Sequence, residues 1–121
     1  MSKFDTKMSK NNQQLYKGSL QTIILELLHH QENMYGYEIT QKVKEISNNA
    51  LQITEGALYP ALHKLEADGF VETEVRMVKN RKRKYYKLTD KGIKEKTSRV
   101  AALKEYMTNM QTILNFDLKL S

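Results

Sequence analysis

The chain has 121 residues, which suits a single domain, and 40% of them are hydrophobic, enough for a small core. The 20 Lys and Arg residues outnumber the 14 Asp and Glu residues, and the resulting formal charge of +6 favours a polyanionic partner such as nucleic acid or a membrane surface. The lack of cysteine excludes disulfides and thiolate metal sites and fits a cytoplasmic protein. The longest apolar stretch, residues 20–28, is shorter than the roughly 20 residues of a membrane span, and no secretory signal is expected.

The first predicted helix follows a polar segment. Residues 1–14 are rich in Lys, Asn and Gln and are expected to form a flexible arm. Beyond them, apolar residues recur at the spacing of one helical face, and Ser19 stands just before this face as an N-cap. The residues of this face are Leu20, Ile23, Ile24, Leu27 and Leu28.

A second helix is predicted after the polar residues 29–33. It opens at Tyr35-Gly36-Tyr37 and ends at the turn-forming Ser47-Asn48-Asn49. Its expected core face consists of Ile39, Val43 and Ile46.

The third helix is predicted to start after Thr54, its N-cap, and to stop at Asp68-Gly69. Pro60 removes one backbone hydrogen bond and presses on the carbonyl of Gly56, so a bent but continuous helix is expected. The inward residues are Leu58, Leu62 and Leu65.

The opposite side of this third helix carries small and hydrogen-bonding residues. Such a surface suits close approach to a DNA major groove. The alternative, an ordinary solvated face, is the better interpretation when this helix is taken alone. The residues concerned are Gly56, Pro60, His63 and Ala67, flanked by Tyr59 and Lys64.

A β-hairpin is predicted next, with strands over residues 70–75 and 84–88 and a basic connection over 76–83. Residues 76–87 contain no acidic side chain, so their positive charges would repel one another without an anionic partner. Contact with phosphates, or entry of the hairpin tip into the minor groove, is favoured over a merely solvated charge run. The cations are Arg76, Lys79, Arg81, Lys82, Arg83, Lys84 and Lys87.

The last predicted helix starts after Thr89 as its cap and runs to about Leu114. An apolar seam at heptad spacing indicates a partner, and a homodimer built with the segment around Leu15 and Tyr16 is favoured over packing of the seam solely on the first helix. The seam residues are Ile93, Val100, Leu103, Met107, Met110 and Leu114.

The order of helices, hairpin and long final helix predicts a mostly α fold, a winged helix-turn-helix with a C-terminal extension. The predicted division is an arm at 1–14, a DNA-binding domain at 15–89, and a dimerisation helix with its tail at 90–121. The three histidines, His29, His30 and His63, lack metal-ligand spacing, and no catalytic constellation is found. Neither an enzyme nor a bound cofactor or metal is therefore expected.

Three stretches of the chain together resemble the PadR family of bacterial transcriptional regulators. They are the Tyr-Gly-Tyr-Glu-Ile sequence at 35–39, the Glu-Gly-Ala-Leu-Tyr-Pro-Ala-Leu-His-Lys-Leu-Glu-Ala-Asp-Gly sequence at 55–69, and the Arg-Lys-Tyr-Tyr-Lys-Leu-Thr-Asp-Lys-Gly sequence at 83–92. The single C-terminal helix is similar to that of the smaller members of the family.

The resemblance implies a dimeric winged-helix repressor of a nearby operon, often including its own gene, that binds an inverted-repeat operator in double-stranded DNA. It implies release by a small aromatic or drug-like effector. Drug-binding members often use tryptophans at the dimer centre, and this chain has none. An effector pocket would instead be lined by Tyr16, Tyr106, Met107, Met110 and Phe116.

On the same pattern, the third helix faces the operator groove, part of the second helix approaches flanking phosphates, and Lys79 to Lys84 form the wing. The expected DNA-binding residues are Tyr37, Gln41, Thr54, Gly56, Tyr59, Pro60, His63, Lys64, Lys79, Arg81, Lys82, Arg83 and Lys84. Two alternatives remain open at this point: a winged-helix protein-interaction module, and an architectural or RNA-binding protein with little sequence preference.

Overall fold

The computed structural model describes the backbone of residues 17–120 and the side chains of residues 17–116. The predicted contribution of Leu15 and Tyr16 lies outside these residues. The elements in chain order are α1 (Leu20–His30), β1 (Met34–Tyr35), α2 (Gly36–Ile46), α3 (Glu55–Ala67), β2 (Val71–Val78), β3 (Arg81–Leu88) and α4 (Asp90–Leu120). None of the helices in this range is both long and apolar enough to cross a membrane.

Helix α1 lies at the centre of the domain, and its apolar residues differ in how deeply they are buried. Ile24 and Leu25 are fully buried in the core, with Leu20 and Leu28 beside them. Ile23 and Leu27, predicted to lie on the same core face, are only partly buried. The predicted apolar face of α1 is therefore wider than the part of the helix that packs against the core.

Helix α2 begins where the backbone N–H of Tyr35 donates to Oε1 of Glu38 at 3.1 Å, which satisfies one of the free donors of the first turn. Ile39 and Val43 are buried as predicted, but the prediction for Ile46 is wrong, since this side chain is 64% exposed. The last turn of α2 extends beyond the core and leaves Ile46 at the edge of an open groove between α1, α2 and α4.

Helix α3 is capped as predicted, because Thr54 Oγ1 accepts the Ala57 N–H at 3.2 Å. Its three predicted core leucines have no exposed surface. Pro60 lies inside one continuous helix, and Gly69 ends it with a φ of +81°, a conformation that glycine adopts without strain. The bend expected at Pro60 stays a prediction.

The sheet has the order β1-β3-β2 and is antiparallel throughout. The predicted strands were too short, because β2 and β3 pair continuously from Val71 opposite Leu88 to Val78 opposite Arg81. Only Lys79 and Asn80 form the turn, both with positive φ, as two-residue turns joining twisted strands often require. Residues assigned to a basic loop therefore belong to a regular two-stranded ribbon.

Two features position α4 against the rest of the domain. Thr89 Oγ1 accepts the Gly92 N–H at 3.0 Å, which confirms the predicted cap. Arg99 Nη1 donates to Gln21 Oε1 at 2.8 Å, and Lys96 Nζ lies 3.6 Å from Glu26 Oε1, so the first turns of α4 pack along α1. The helix then continues to Leu120, further than predicted.

Candidate nucleic-acid interface

The outward face of α3 is present as predicted. Gly56, Pro60, His63 and Ala67 are all exposed, and Tyr59 retains 37% of its surface. Lys64 is exposed as well, although its ammonium lies 3.3 Å from the Asp68 carboxylate. Apart from Tyr59 and Lys64 at its flanks, this face is therefore uncharged and composed of small or medium-sized side chains, which allows another molecule to approach the backbone closely.

Tyr59 is held by a contact that the sequence did not predict. A Cβ atom placed on Gly36 would overlap the Tyr59 hydroxyl and lie 2.9 Å from its Cζ atom, so the ring lies against the start of α2. With the Tyr59 ring in this position, only glycine fits at residue 36. Gly36 thus lets the Tyr59 ring lie against the first turn of α2.

A cleft of about 320 Å³ lies between α3, the start of α2 and β3. Tyr86 is only 2% exposed, and this burial raises the pKa of its hydroxyl above the ordinary 10.0. The nearby positive charge of Lys84 acts in the other direction but is outweighed by burial. The hydroxyl therefore stays protonated near neutral pH. The lining residues are Tyr35, Gly36, Tyr59, His63, Lys82, Arg83, Lys84 and Tyr86.

The cations of the ribbon differ in their partners. Arg83 stacks on the Tyr35 ring at 4.4 Å and Arg76 on the Tyr85 ring at 4.6 Å, measured from the guanidinium carbon to the ring centroid. Lys84 lies 3.4 Å from the Glu66 carboxylate. Lys79, Arg81 and Lys82 form no ion pair with any residue of the described range and are exposed.

Glu66 joins α3 to the sheet. Its two carboxylate oxygens accept hydrogen bonds from the Thr73 hydroxyl at 3.3 Å and from Lys84 at 3.4 Å. These hydrogen bonds connect the C-terminal half of α3 to β2 and β3. The orientation of the ribbon relative to α3 thus depends partly on a carboxylate that no sequence pattern indicated.

The remaining predicted contact residues lie on either side of α3. Tyr37 is 63% exposed and Gln41 is exposed on α2. Thr54 is exposed too, but its hydroxyl is used to cap α3. All of these side chains are accessible to a ligand that spans α2, α3 and the ribbon.

A second concavity, a groove of about 420 Å³, lies between α1, α2 and α4 on another part of the surface. It contains three of the six predicted seam residues, Val100, Leu103 and Met107, but of the predicted effector-pocket residues on α4 it contains only Met107. Its lining residues are Thr22, Ile23, Glu26, Leu27, Val43, Ile46, Ser47, Leu51, Val100, Leu103, Lys104 and Met107.

Helix α4 carries exposed large apolar side chains along its length. Ile93, in its first turn, is 39% exposed, and Met110 is partly exposed. Five others, at the groove or beyond it, are at least 59% exposed, and they are Tyr106, Met107, Ile113, Leu114 and Phe116.

Sequence reasoning missed Gly36, Tyr86 and Glu66 as parts of the site. The Tyr-Gly-Tyr sequence at 35–37 marked a helix start, but the packing of a distant tyrosine on its glycine depends on tertiary structure. The predicted strand 84–88 already placed Tyr86 on the same face as Lys84, but the packing of that face against α3 depends on tertiary structure.

The arrangement of α2, α3 and the β2–β3 ribbon, with β1 at the sheet edge, defines a winged helix-turn-helix protein. The model of the transcriptional regulator PadR-like family matches residues 24–98, and the chain belongs to this family. It is accordingly a PadR-family transcriptional regulator, a class of regulators rather than enzymes.

Individual relatives agree with this assignment. A transcriptional regulator of Mycobacterium tuberculosis is 39% identical over 83 residues, covering 67% of this chain and 75% of the relative. A PadR-like transcription factor from Bacteroides fragilis is 36% identical, with a TM-score of 0.67 over 87% of this chain and 99% of that one. A transcriptional regulator from Clostridium thermocellum is 29% identical, with a TM-score of 0.72 over 85% and 97% of the two chains.

Proposed function

We propose that the protein is a homodimeric, sequence-specific repressor that binds an inverted-repeat operator in double-stranded DNA near its own gene. The observation that carries this proposal is the continuity between an uncharged outward face of α3 and a ribbon whose exposed cations Lys79, Arg81 and Lys82 have no carboxylate partners in the described range. Base edges are read by closely approaching hydrogen-bonding groups, whereas phosphates are bound by cations.

In this proposal α3 enters the major groove, and His63 is its leading hydrogen-bonding group. Tyr37 and Gln41 approach the phosphates that flank the groove. Gly56 and Pro60 allow the close approach, while Lys64 and Lys84 add positive charge from either side of the cleft.

The proposed dimer is formed through α4. This helix has 31 residues and is therefore about 46 Å long at 1.5 Å per residue, so its distal half extends well past its packing on α1. Its exposed apolar side chains and the groove beside Met107 are the surfaces that a second copy would bury. An inverted repeat is the DNA counterpart of such a two-fold symmetric protein.

Effector release is the third component of the proposal. A volume of about 420 Å³ falls within the range of small-molecule sites, and the groove is lined mainly by apolar side chains. An aromatic compound bound there would compete with the second copy for this groove and would change the packing of α4 on α1. Because α4 also sets the spacing of the two α3 helices in the dimer, such a change would alter the affinity for the operator.

The test distinguishes the contribution of the ribbon to DNA binding from that of α3. Lys82→Gln is expected to weaken binding to operator and scrambled duplexes alike, and to lower the salt slope by about one unit for each phosphate that is no longer neutralised. His63→Ala is expected to leave that slope unchanged and to reduce discrimination between the two duplexes by roughly 1–3 kcal/mol. The measurement is fluorescence anisotropy at several salt concentrations.

Lys94→Gln, which removes an exposed charge on α4, is the matched control for overall charge. The reverse pattern, with loss of specificity from Lys82→Gln and a reduced salt slope from His63→Ala, would invert the assigned roles. Wild-type protein that bound neither duplex would favour the protein-interaction module instead.

A further inference from the structure

The ribbon presents two chemically different faces. Residues directly opposite each other in an antiparallel pair project to the same side, and successive residues alternate sides. Val75 is opposite Lys84 and Met77 is opposite Lys82, so these four side chains share one face. Val75 is 60% exposed and Met77 is 63% exposed, which is unusual for large apolar groups on a regular strand.

This face is turned toward α3. Tyr86, two residues after Lys84 on β3, lies on the same side, and all three of Lys82, Lys84 and Tyr86 line the cleft that Tyr59 and His63 border from α3. A ligand placed along the outward face of α3 would therefore meet the side of the ribbon that carries Met77 and Lys82.

The other face of the ribbon uses two of its cations internally, whereas Arg81 on this face, opposite Val78, is exposed and forms no ion pair within the described range. Arg76 and Arg83 are paired across the strands and therefore lie together on the opposite side. Each stacks on a tyrosine, and the two tyrosines, Tyr35 and Tyr85, contact each other edge to face at 5.4 Å between centroids. This stacking orients both guanidinium groups, and the Arg76 guanidinium, whose side chain is 40% exposed, also lies 3.3 Å from the Glu74 carboxylate.

The occupant of the Met77 face must combine negative charge with apolar surface. No acidic residue stands on this face between Val75 and Lys84, and two lysines flank the apolar pair. Duplex DNA offers this combination at the rim of its minor groove, where deoxyribose carbons lie between phosphates. Proteins that enter the minor groove frequently place apolar side chains there.

We propose that Met77, supported by Val75, packs against deoxyribose in the minor groove while Lys82 binds the adjoining phosphate, and that Arg76 and Arg83 are positioning residues. The inference rests on the proposed function, because it requires DNA as the ligand. In this proposal the ribbon makes an apolar contact with DNA that does not depend on salt, in addition to the contacts of its cations with phosphates.

The test uses the full chain labelled with ¹³C at the methionine methyl groups, titrated with the duplex obtained by selecting bound fragments from the source genome. The Met77 signal, identified by its absence in Met77→Gln, is expected to shift and to show NOEs to deoxyribose protons. The Met34 methyl, whose residue has no exposed surface and so cannot contact DNA directly, serves as the internal reference.

Binding measurements provide the second readout. Met77→Gln is expected to weaken DNA binding about five- to tenfold with an unchanged salt slope, because it removes an apolar contact and no charge. Met77→Leu, which keeps the apolar surface, should bind within about twofold of wild type. Arg83→Gln is expected to leave the salt slope near that of wild type, in contrast to Lys82→Gln.

The outcomes separate the two proposals. Anisotropy that reports DNA binding while the Met77 methyl stays unshifted and Met77→Gln binds normally would overturn the inference alone. Protein that gives neither an anisotropy change nor any methyl shift would overturn the proposed function. Arg83→Gln with a salt slope reduced as in Lys82→Gln would show that Arg83 binds phosphate directly.

Discussion

Replacing Met107 by aspartate is expected to convert a dimeric protein into a monomer at micromolar concentration. Met107 is 59% exposed in the single chain, and it lines the apolar groove together with Val100 and Leu103. A carboxylate buried there without a partner costs on the order of 3–5 kcal/mol. Such a cost weakens self-association more than about a hundredfold.

Sedimentation velocity over a concentration series measures this effect directly. Asn115→Asp is the matched control, because it adds the same charge at an exposed position on the polar side of α4, beside Gln111 and Thr112 rather than among the exposed apolar residues. It should remain dimeric. Circular dichroism should show that both variants stay folded, and a wild-type protein that sediments as a monomer at micromolar concentration would contradict the proposed dimer.

The second large effect is expected from Gly92→Ala. A Cβ atom at this position would overlap the carbonyl oxygen of Phe70 and lie 2.9 Å from its carbonyl carbon. These are backbone atoms of the segment that leads into β2, so they cannot move aside as a flexible side chain would. Thr89, which caps α4 through the Gly92 N–H, would be displaced as well. We expect a loss of about 2–3 kcal/mol in the free energy of unfolding, at the upper end of the usual cost of overpacking.

Urea denaturation of the two matched glycine variants checks this prediction. Gly56→Ala places its Cβ in open space, with only Thr54 Oγ1 at 4.0 Å, inside the first turn of α3. It should be neutral or stabilise the protein by up to about 1 kcal/mol, because alanine is the better helix former. Equal stability of Gly92→Ala and wild type would show that α4 can start further from Phe70 than the structure indicates.

The helices could be predicted from the sequence because their signals are local. The leucine spacing of α3 and its Thr54 cap depend only on neighbouring residues, and both are confirmed. The core face of α1 was predicted less accurately, since Ile23 and Leu27 lie toward the groove. Periodicity identifies the apolar side of a helix, but it does not show where the core ends and an open surface begins.

The ribbon shows why a charged strand is hard to predict. The basic run at 76–83 reads as a loop, because Lys and Arg are poor strand markers. In the structure these residues pair across the full ribbon, where Arg76 and Arg83 stack on tyrosines from β3 and β1. Strand β1 has only two residues, too few to show any periodicity.

The cleft was not predictable because it joins residues far apart in the chain. Gly36 and Tyr59 meet only after α2 and α3 have packed, and Glu66 reaches Thr73 and Lys84 only once the sheet has formed. Exposure and charge show that His63, Lys82 and the other interface residues are accessible to a ligand. Their roles in DNA binding are proposals.

The most direct measurement of the central claim is selection of bound fragments from the source genome by the purified protein, followed by sequencing and alignment. The account predicts enrichment of an inverted repeat whose half-sites lie about one helical turn or a multiple of it apart, located upstream of the gene itself or of a neighbouring operon. The same fragments should be recovered less selectively by His63→Ala and in lower yield by Lys82→Gln. Recovery of fragments without a shared sequence would contradict sequence-specific regulation and would indicate an architectural role, and recovery of no DNA at all would contradict the account as a whole.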